Sequence, residues 1–77
     1  MKKIIIYSSP TCPYCKMLKE FLRTKNIEFT DYNVVDDNEK AKEMIDKSGQ
    51  MGVPVIDIDG KLIIGFDQEA INRELGL

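Results

Sequence analysis

Residues 4–15 read IIIYSSPTCPYC, and this stretch decides the predicted fold. Its first four residues form a short, continuous apolar run, which is typical of a strand buried on both faces at the centre of a sheet. A loop follows, and a helix is predicted to begin near Cys12 because Pro13 suits the first helical turn, where a missing N–H does no harm. This helix should end around residues 25–26. Its apolar face, read from the helical spacing, consists of Met17, Leu18, Phe21 and Leu22.

Outward from this stretch, the chain alternates strands and helices. Residues 27–35 are rich in aromatic and β-branched side chains and predict a second strand, parallel to the first through a right-handed crossover. Asp36 and Glu39 have the spacing of a capping box for a second helix, and Gly49 suits the position just past its end.

The last part of the chain predicts a hairpin and a short helix. Residues 53–58 and 61–64 are apolar runs on either side of Asp59-Gly60, which is a strong hairpin signal. Asp67 can cap a last helix that ends at Gly76. The order βαβ followed by ββα predicts one α/β domain over residues 1–77, with a four-stranded mixed sheet and three helices packed on its faces.

The composition limits the classes of function. The chain has 77 residues and a net charge of −2, and its lysines are mixed with acids without a basic run, which argues against nucleic acid as a partner. No stretch approaches the ~20 apolar residues of a membrane span, and the apolar run near the start is too short for a signal peptide. We therefore expect a cytoplasmic monomer whose core is too small to hold a bound cofactor, so that the site lies on the surface.

The two cysteines are the residues that carry chemistry. Cys12 lies where a helix begins, so the unpaired N–H groups of the first turn can point at its sulfur and stabilise a thiolate, which is the nucleophilic form. Cys15 follows nearly one turn later and can reach back to form a disulfide once Cys12 has made a mixed disulfide with a substrate. The pair predicts disulfide exchange, with Cys12 attacking and Cys15 resolving. The chain contains no histidine, which excludes a Cys–His hydrolytic pair.

Three other interpretations of the pair stay open at this point. A structural zinc site usually needs four Cys or His ligands, and the chain offers two, so we expect no metal site. An inert structural disulfide would close too small a loop to stabilise the fold much. Two buried, unreactive cysteines are the third interpretation, because free cysteine is often simply buried. The strand–loop–helix context favours redox chemistry over all three.

Residues 6–7 followed by residues 11–15 resemble the dithiol glutaredoxins, which carry the tetrapeptide Cys-Pro-Tyr-Cys after their first strand. Val53-Pro54, and Gly65 followed by Asp67, extend the resemblance over essentially the whole chain. The resemblance implies a minimal thioredoxin fold and catalysis of dithiol–disulfide exchange. It also implies that the Val53–Pro54 peptide bond is cis and faces the cysteines, with an ordinary trans proline as the alternative.

By the same resemblance, both halves of the chain contribute to a substrate-binding groove. A proline at a strand start cannot donate to the ladder, which leaves the backbone of Val53 free to pair with an extended substrate. The ring of Tyr14 can flank the entering sulfur, although it can also pack on Leu18 one turn later. The role of Phe66 stays open, because its side chain can either pack in the core or contact a partner. The expected groove residues are Pro13, Tyr14, Val53, Pro54, Phe66 and Asp67.

Two departures from the family pattern leave the reductant open. Glutaredoxins usually place a Lys or Arg three residues before the first cysteine, where this chain has Ser9, and they often read Gly-Gly-x-Asp-Asp where residues 64–68 read IGFDQ. Gly65-Phe66 is also similar to the NrdH-type redoxins, which thioredoxin reductase reduces and which serve ribonucleotide reductase. The expected partners are disulfide-containing proteins, ribonucleotide reductase among them. The reductant is either glutathione, as a co-substrate, or a thioredoxin-reductase-like flavoprotein.

A binding protein is the alternative from a different class of function. A redoxin-fold carrier could hold an iron–sulfur cluster or a soft metal between two subunits through the thiolate of Cys12. Family members known for clusters mostly have Gly-Phe-Ser after the first cysteine, where this chain has residues 13–15, PYC. Cluster ligation also needs four soft ligands. The sequence therefore favours the disulfide oxidoreductase.

Overall fold

The first strand lies in the middle of the sheet, as its continuous apolar run predicts. The computed structural model describes residues 3–50 and 52–76. Strand β1 (Ile4–Ser8) pairs in parallel with β2 (Thr30–Asn33) on one side and antiparallel with β3 (Val55–Ile58) on the other. Strand β4 (Lys61–Ile64) pairs antiparallel with β3 and completes the order β2-β1-β3-β4. The predicted four-stranded mixed sheet is confirmed.

Three helices cover the two faces of this sheet. Helices α1 (Pro13–Thr24) and α3 (Gln68–Leu75) contribute Leu18, Leu22 and Ile71 to the larger apolar cluster, on one face. Helix α2 (Asn38–Ser48) contributes to a smaller cluster on the opposite face. This arrangement is the minimal thioredoxin fold that the resemblance implies. It places the start of α1 directly after the central strand.

The alternation of side chains along the central strands divides the core between the two faces. Ile6 and Ile56 are opposite each other on β1 and β3, are fully buried and face α1 and α3. The next pair along, Tyr7 and Val55, is also fully buried but belongs to the cluster on the α2 face. The other buried members of the larger cluster are Ile4, Leu18, Leu22, Ile58, Ile63 and Ile71. Because this apolar burial holds α1 against the sheet, it also fixes where the cysteines lie.

Helix α2 is attached to the sheet by polar contacts as well as apolar ones. The hydroxyl of Tyr7 donates a hydrogen bond to the Glu43 carboxylate and accepts one from the Lys47 ammonium at 2.9 Å. Lys47 also donates to the buried carboxylate of Asp57 on β3, at 3.1 Å. The hydrogen bond with Tyr7 is the main cause that raises the pKa of Lys47 above its ordinary value. Buried polar groups on this face are thus paired with one another.

The apolar face of α1 is narrower than predicted. Leu18 and Leu22 are fully buried and Phe21 is partly buried, but Met17 is 49% exposed. Each residue turns about 100° around a helix, so Met17 lies well away from the direction in which Leu18 points at the sheet. The prediction that Met17 belongs to the buried face was therefore wrong.

Two strands are shorter than the apolar runs predicted. Strand β2 begins at Thr30 rather than at residue 27, because the Ile27 amide donates to Leu22 O at 3.0 Å and so completes the end of α1. Strand β3 begins at Val55 rather than at residue 53, because Pro54 has no N–H to donate to the ladder. The hairpin is as predicted: Asp59 and Gly60 both have positive φ angles, 51° and 92°, which a two-residue turn of the I′ type requires.

Helix α2 begins one residue later than predicted. Its N-cap is Asp37, whose carboxylate accepts a hydrogen bond from the Lys40 amide at 3.1 Å. The carboxylate of Asp36 instead accepts a hydrogen bond from the side-chain amide of Asn33, also at 3.1 Å. The predicted capping box was therefore wrong, because with Asp37 as the N-cap the third helical residue is Lys40 and not Glu39. The predicted end is confirmed, since Gly49 takes the left-handed conformation just past the helix.

We expect Asp37→Ala to lower the free energy of unfolding by about 1 kcal/mol, because a first-turn N–H loses its acceptor. In a domain of this size that loss corresponds to a fall in Tm of roughly 4–8 °C. The matched control is Asp36→Ala, which removes a neighbouring carboxylate that caps nothing and should cost clearly less. Thermal unfolding followed by circular dichroism measures both variants. Equal losses would show that Asp37 is not the cap.

Candidate active site

The loop between β1 and α1 holds the sulfur of Cys12 at the start of the helix. Cys12 is the N-cap of α1, and its Sγ accepts a hydrogen bond from the Cys15 amide at 3.2 Å. Its own amide donates to Ser9 O at 3.2 Å, which closes the loop. Pro13 is the first helical residue, as predicted. A sulfur in this position receives a first-turn N–H donor and lies at the positive end of the helix dipole.

The two cysteines differ in exposure. Cys12 is partly exposed, whereas Cys15 is fully buried, and both are free thiols. Disulfide exchange requires a sulfur that an incoming disulfide can reach and a second sulfur within reach of the first. The backbone hydrogen bond from Cys15 to the sulfur of Cys12 shows how closely the two residues lie.

The environment of Cys15 keeps its thiol protonated at neutral pH. Burial is the main cause that raises the pKa of Cys15 to about 11, and a side-chain hydrogen bond with Cys12 acts in the same direction. A backbone hydrogen bond with Ser9 and the positive charge of Lys19 lower this pKa in part. Cys15 therefore stays a protonated thiol as long as Cys12 has not formed a mixed disulfide.

The Val53–Pro54 turn lies against the cysteines. The Cys12 thiol donates a long hydrogen bond, 3.9 Å from Sγ, to Val53 O. The peptide bond that follows is cis, as the resemblance implies, and Pro54 is fully buried. Pro54 O accepts a hydrogen bond from the Gly65 amide at 2.8 Å, and Gly65 has a φ of 80°, which glycine adopts without strain. The turn therefore joins the cysteine loop to the segment that carries Phe66 and Asp67.

The other predicted groove residues take three different positions. Tyr14 is 61% exposed beside the cysteines, so its ring is not buried on Leu18. Phe66 packs edge-on against Phe21, with ring centroids 5.8 Å apart. Phe21 lies nearly two helical turns past Cys15 on α1. The ring of Phe66 also lines a shallow apolar groove. Asp67 is the N-cap of α3, and its carboxylate accepts a hydrogen bond from the Ala70 amide at 3.2 Å.

Three polar residues near the cysteine loop were not singled out from the sequence. The hydroxyl of Ser8, which is buried at the end of β1, donates to Asp31 Oδ1 at 2.6 Å. The ammonium of Lys19 donates to Asp31 Oδ2 at 3.0 Å. The sequence signal that could have singled out Lys19 was its position four residues after Cys15, on the same face of the predicted helix. Neither Ser8 nor Asp31 gave a signal of its own.

Neither a metal cluster nor a membrane-spanning helix is found in residues 3–50 and 52–76. No group of three or more His, Cys, Asp or Glu side chains in these ranges could hold a metal ion. No helix in them is long and apolar enough to cross a membrane.

Comparison with known proteins gives a consistent result. The model of the glutaredoxin family matches residues 4–63. A glutaredoxin-like 8.6 kDa protein from the rubredoxin operon of Clostridium pasteurianum is 54% identical over 70 residues, which are 91% of this chain and 93% of that protein. Glutaredoxin 3 of Escherichia coli K12 is 39% identical over 67 residues, 87% of this chain and 81% of that protein.

A solved structure extends the comparison to the fold. The glutaredoxin-like protein NrdH-redoxin from Escherichia coli, described as having a thioredoxin-like activity profile, superimposes with a TM-score of 0.84. The two chains are 27% identical, and the match covers 92% of each. Together with the cysteine geometry, these matches support an oxidoreductase that acts on thiols. The chain belongs to the glutaredoxin family.

Proposed function

We propose that this protein reduces the disulfides of proteins or small molecules by dithiol exchange, with Cys12 as the nucleophile and Cys15 as the resolving thiol. The observation that carries the proposal is the asymmetry of the pair. Cys12 is partly exposed, and its sulfur caps the helix and accepts a hydrogen bond from the Cys15 amide at 3.2 Å, while Cys15 is buried and protonated. An accessible, stabilised sulfur in front of a hidden thiol fits an attack followed by a resolving step.

The proposed reaction has two steps. The thiolate of Cys12 attacks one sulfur of the substrate disulfide, the disulfide breaks, and the first substrate sulfur leaves and takes a proton from water. Cys15 then gives up its proton and attacks the sulfur of Cys12, which releases the second substrate thiol. The substrate gains two electrons and two protons, and the protein is left with a Cys12–Cys15 disulfide. A reductant returns this disulfide to the dithiol.

The substrate is proposed to lie along the turn that faces the cysteines. The carbonyl of Val53 points towards the sulfur of Cys12, and none of the described residues accepts a hydrogen bond from the Val53 amide. An extended chain that paired with this backbone would bring its sulfur to Cys12. The exposed ring of Tyr14 is proposed to cover the substrate from the opposite side. The remaining proposed walls are Pro13, Pro54, Phe66 and Asp67.

The proposed partners follow from the resemblance and from the relatives. Protein disulfides are the substrate class, with ribonucleotide reductase as the candidate that the NrdH-type similarity suggests. We propose that the protein works as a monomer without a bound cofactor. We place it in the cytoplasm, since a reductase needs a compartment in which thiols are kept reduced. No observation on residues 3–50 and 52–76 favours the iron–sulfur carrier.

The first experiment offers the oxidised protein two reducing systems in parallel, glutathione with glutathione reductase, and NADPH with thioredoxin reductase. Reduction is coupled to insulin disulfides and to a small disulfide, and NADPH consumption is followed. Fast turnover with glutathione would mean that Ser9 and the altered turn at residues 64–68 are tolerated. Turnover with the flavoprotein alone would mean that the glutathione groove is lost. Turnover with neither system would overturn the proposed function.

A further inference from the structure

We propose that Lys19 is a positioning residue for the second step, in which its ammonium group, anchored by Asp31 and Ser8, stabilises the thiolate of Cys15. The inference rests on the proposed dithiol mechanism. It assigns a role to a polar cluster that the first step does not use.

The position of Lys19 on α1 directs its charge towards the resolving cysteine. Residues four apart on a helix lie on the same face, about 5–6 Å apart at Cβ, so the Lys19 side chain starts next to Cys15. Lysine is usually exposed, but the Lys19 side chain is only 18% exposed. Lys16, one residue after Cys15, is exposed instead. Of these two lysines, Lys19 is thus the one whose charge acts on the buried thiol of Cys15.

The ammonium is held in place by two other elements of the fold. Asp31 on β2 accepts a hydrogen bond from Lys19 Nζ at 3.0 Å through one oxygen and from the Ser8 hydroxyl at 2.6 Å through the other. Ser8 is 2% exposed and ends the central strand. The next residue, Ser9, forms the backbone hydrogen bond that also lowers the pKa of Cys15. Strand β1, strand β2 and helix α1 therefore meet beside this thiol, and the Lys19 ammonium is held there in an ion pair with Asp31.

The charges around Cys15 change when the first step is complete. Before it, burial and the hydrogen bond with Cys12 raise the pKa of Cys15, while Ser9 and Lys19 oppose them. In the mixed disulfide, Cys12 no longer carries a thiol or a thiolate, so its contribution disappears. The thiolate of Cys15 then depends on Lys19 and Ser9 against burial. Asp31 is the other charge in the cluster, and its carboxylate partly offsets the positive charge of Lys19, with which it forms an ion pair.

Lys19 should therefore affect one chemical step and not the other. In that step the Cys15 thiol gives its proton to water, its sulfur bonds to the Cys12 sulfur, and the bond from Cys12 to the substrate sulfur breaks. The leaving sulfur carries away the electron pair and takes up a proton. Loss of the Lys19 charge would reduce the thiolate fraction of Cys15 at neutral pH and slow this step only.

The test follows both steps with an aromatic disulfide, 5,5′-dithiobis(2-nitrobenzoate), which releases a coloured aromatic thiolate in each. Reduced protein is mixed with one equivalent by stopped flow between pH 6 and pH 10. In Lys19→Met we expect the second phase to be slowed roughly 3- to 10-fold at pH 7, with its pH midpoint raised by about half a unit to one unit. The first phase should be unchanged. Lys19→Arg should restore the second phase.

Two further variants keep the result unambiguous. Lys16→Met removes the same charge from an exposed position on the same helix and should leave both phases unchanged. Lys19→Gln removes the charge but keeps a hydrogen-bond donor for Asp31. It therefore replaces Lys19→Met in the same test if that variant fails to fold. An unchanged second phase in folded Lys19→Gln, or equal slowing of both phases, would overturn the role of Lys19. A second phase that is absent from the unsubstituted protein would instead overturn the dithiol mechanism.

Discussion

Cys12→Ser should lower the rate of disulfide reduction on the order of 10³-fold or more, since loss of the nucleophile removes the covalent route altogether. A serine hydroxyl at the N-cap would still accept the Cys15 amide, so the helix should remain capped. The expected result is a folded and inactive protein. Reduction of insulin disulfides, with circular dichroism to confirm the fold, measures both properties.

Cys15→Ser is the matched variant, because it keeps the attacking sulfur and removes only the resolving thiol. It should form a mixed disulfide with a protein or small-molecule disulfide and hold it. Mass spectrometry of the intact protein would detect this adduct, which should be absent from Cys12→Ser. Full activity in Cys12→Ser, or an adduct on Cys15 in that variant, would contradict the assignment of the two roles.

Leu22→Ala should strongly destabilise the protein. Leu22 is fully buried in the cluster that packs α1 on the sheet. Removing a buried leucine side chain costs about 2–5 kcal/mol, through lost apolar burial and the cavity that remains. Small domains have a total stability of only about 5–15 kcal/mol. The expected result is therefore a protein close to unfolding at 37 °C.

Met17→Ala is the control for this truncation. It removes a side chain of similar size from the same helix, but Met17 is 49% exposed. The expected change is within about 0.5 kcal/mol. Urea unfolding at pH 7 under reducing conditions gives both free energies. If Met17→Ala cost as much as Leu22→Ala, the assignment of the buried face of α1 would be incorrect.

The sequence predicted the elements whose signals are local. The apolar run at residues 4–7, the Asp59-Gly60 turn and the Gly49 helix end each depend on neighbouring residues only, and all are confirmed. The choice between Asp36 and Asp37 could not be made in this way. Both carboxylates can cap a helix, and Asn33 decides between them by donating its side-chain amide to Asp36.

The polar clusters of the fold could not be predicted because their partners lie far apart in the chain. Ser8 meets Asp31 across the parallel pair of strands, and Lys47 meets Asp57 between α2 and β3. Hydrophobic periodicity shows which side chains are buried, but it does not show which polar groups will be paired. For the site, the spacing of Cys12 and Cys15 predicted redox chemistry of thiols, which the family supports, and dithiol exchange stays a prediction. The cluster around Lys19 became visible only once β1, β2 and α1 were placed together.

The hydrogen bond that caps α1 has a thermodynamic consequence for the proposed dithiol–disulfide cycle. The Cys15 amide donates to the sulfur of Cys12, and a thiolate is a strong acceptor whereas a disulfide sulfur is a weak one. In the proposed mechanism, helix α1 would therefore be better capped when Cys12 is a thiolate than when it is part of a disulfide. This difference in free energy would stabilise the reduced protein and raise its reduction potential. Any change that weakens the cap should make the protein a stronger reductant.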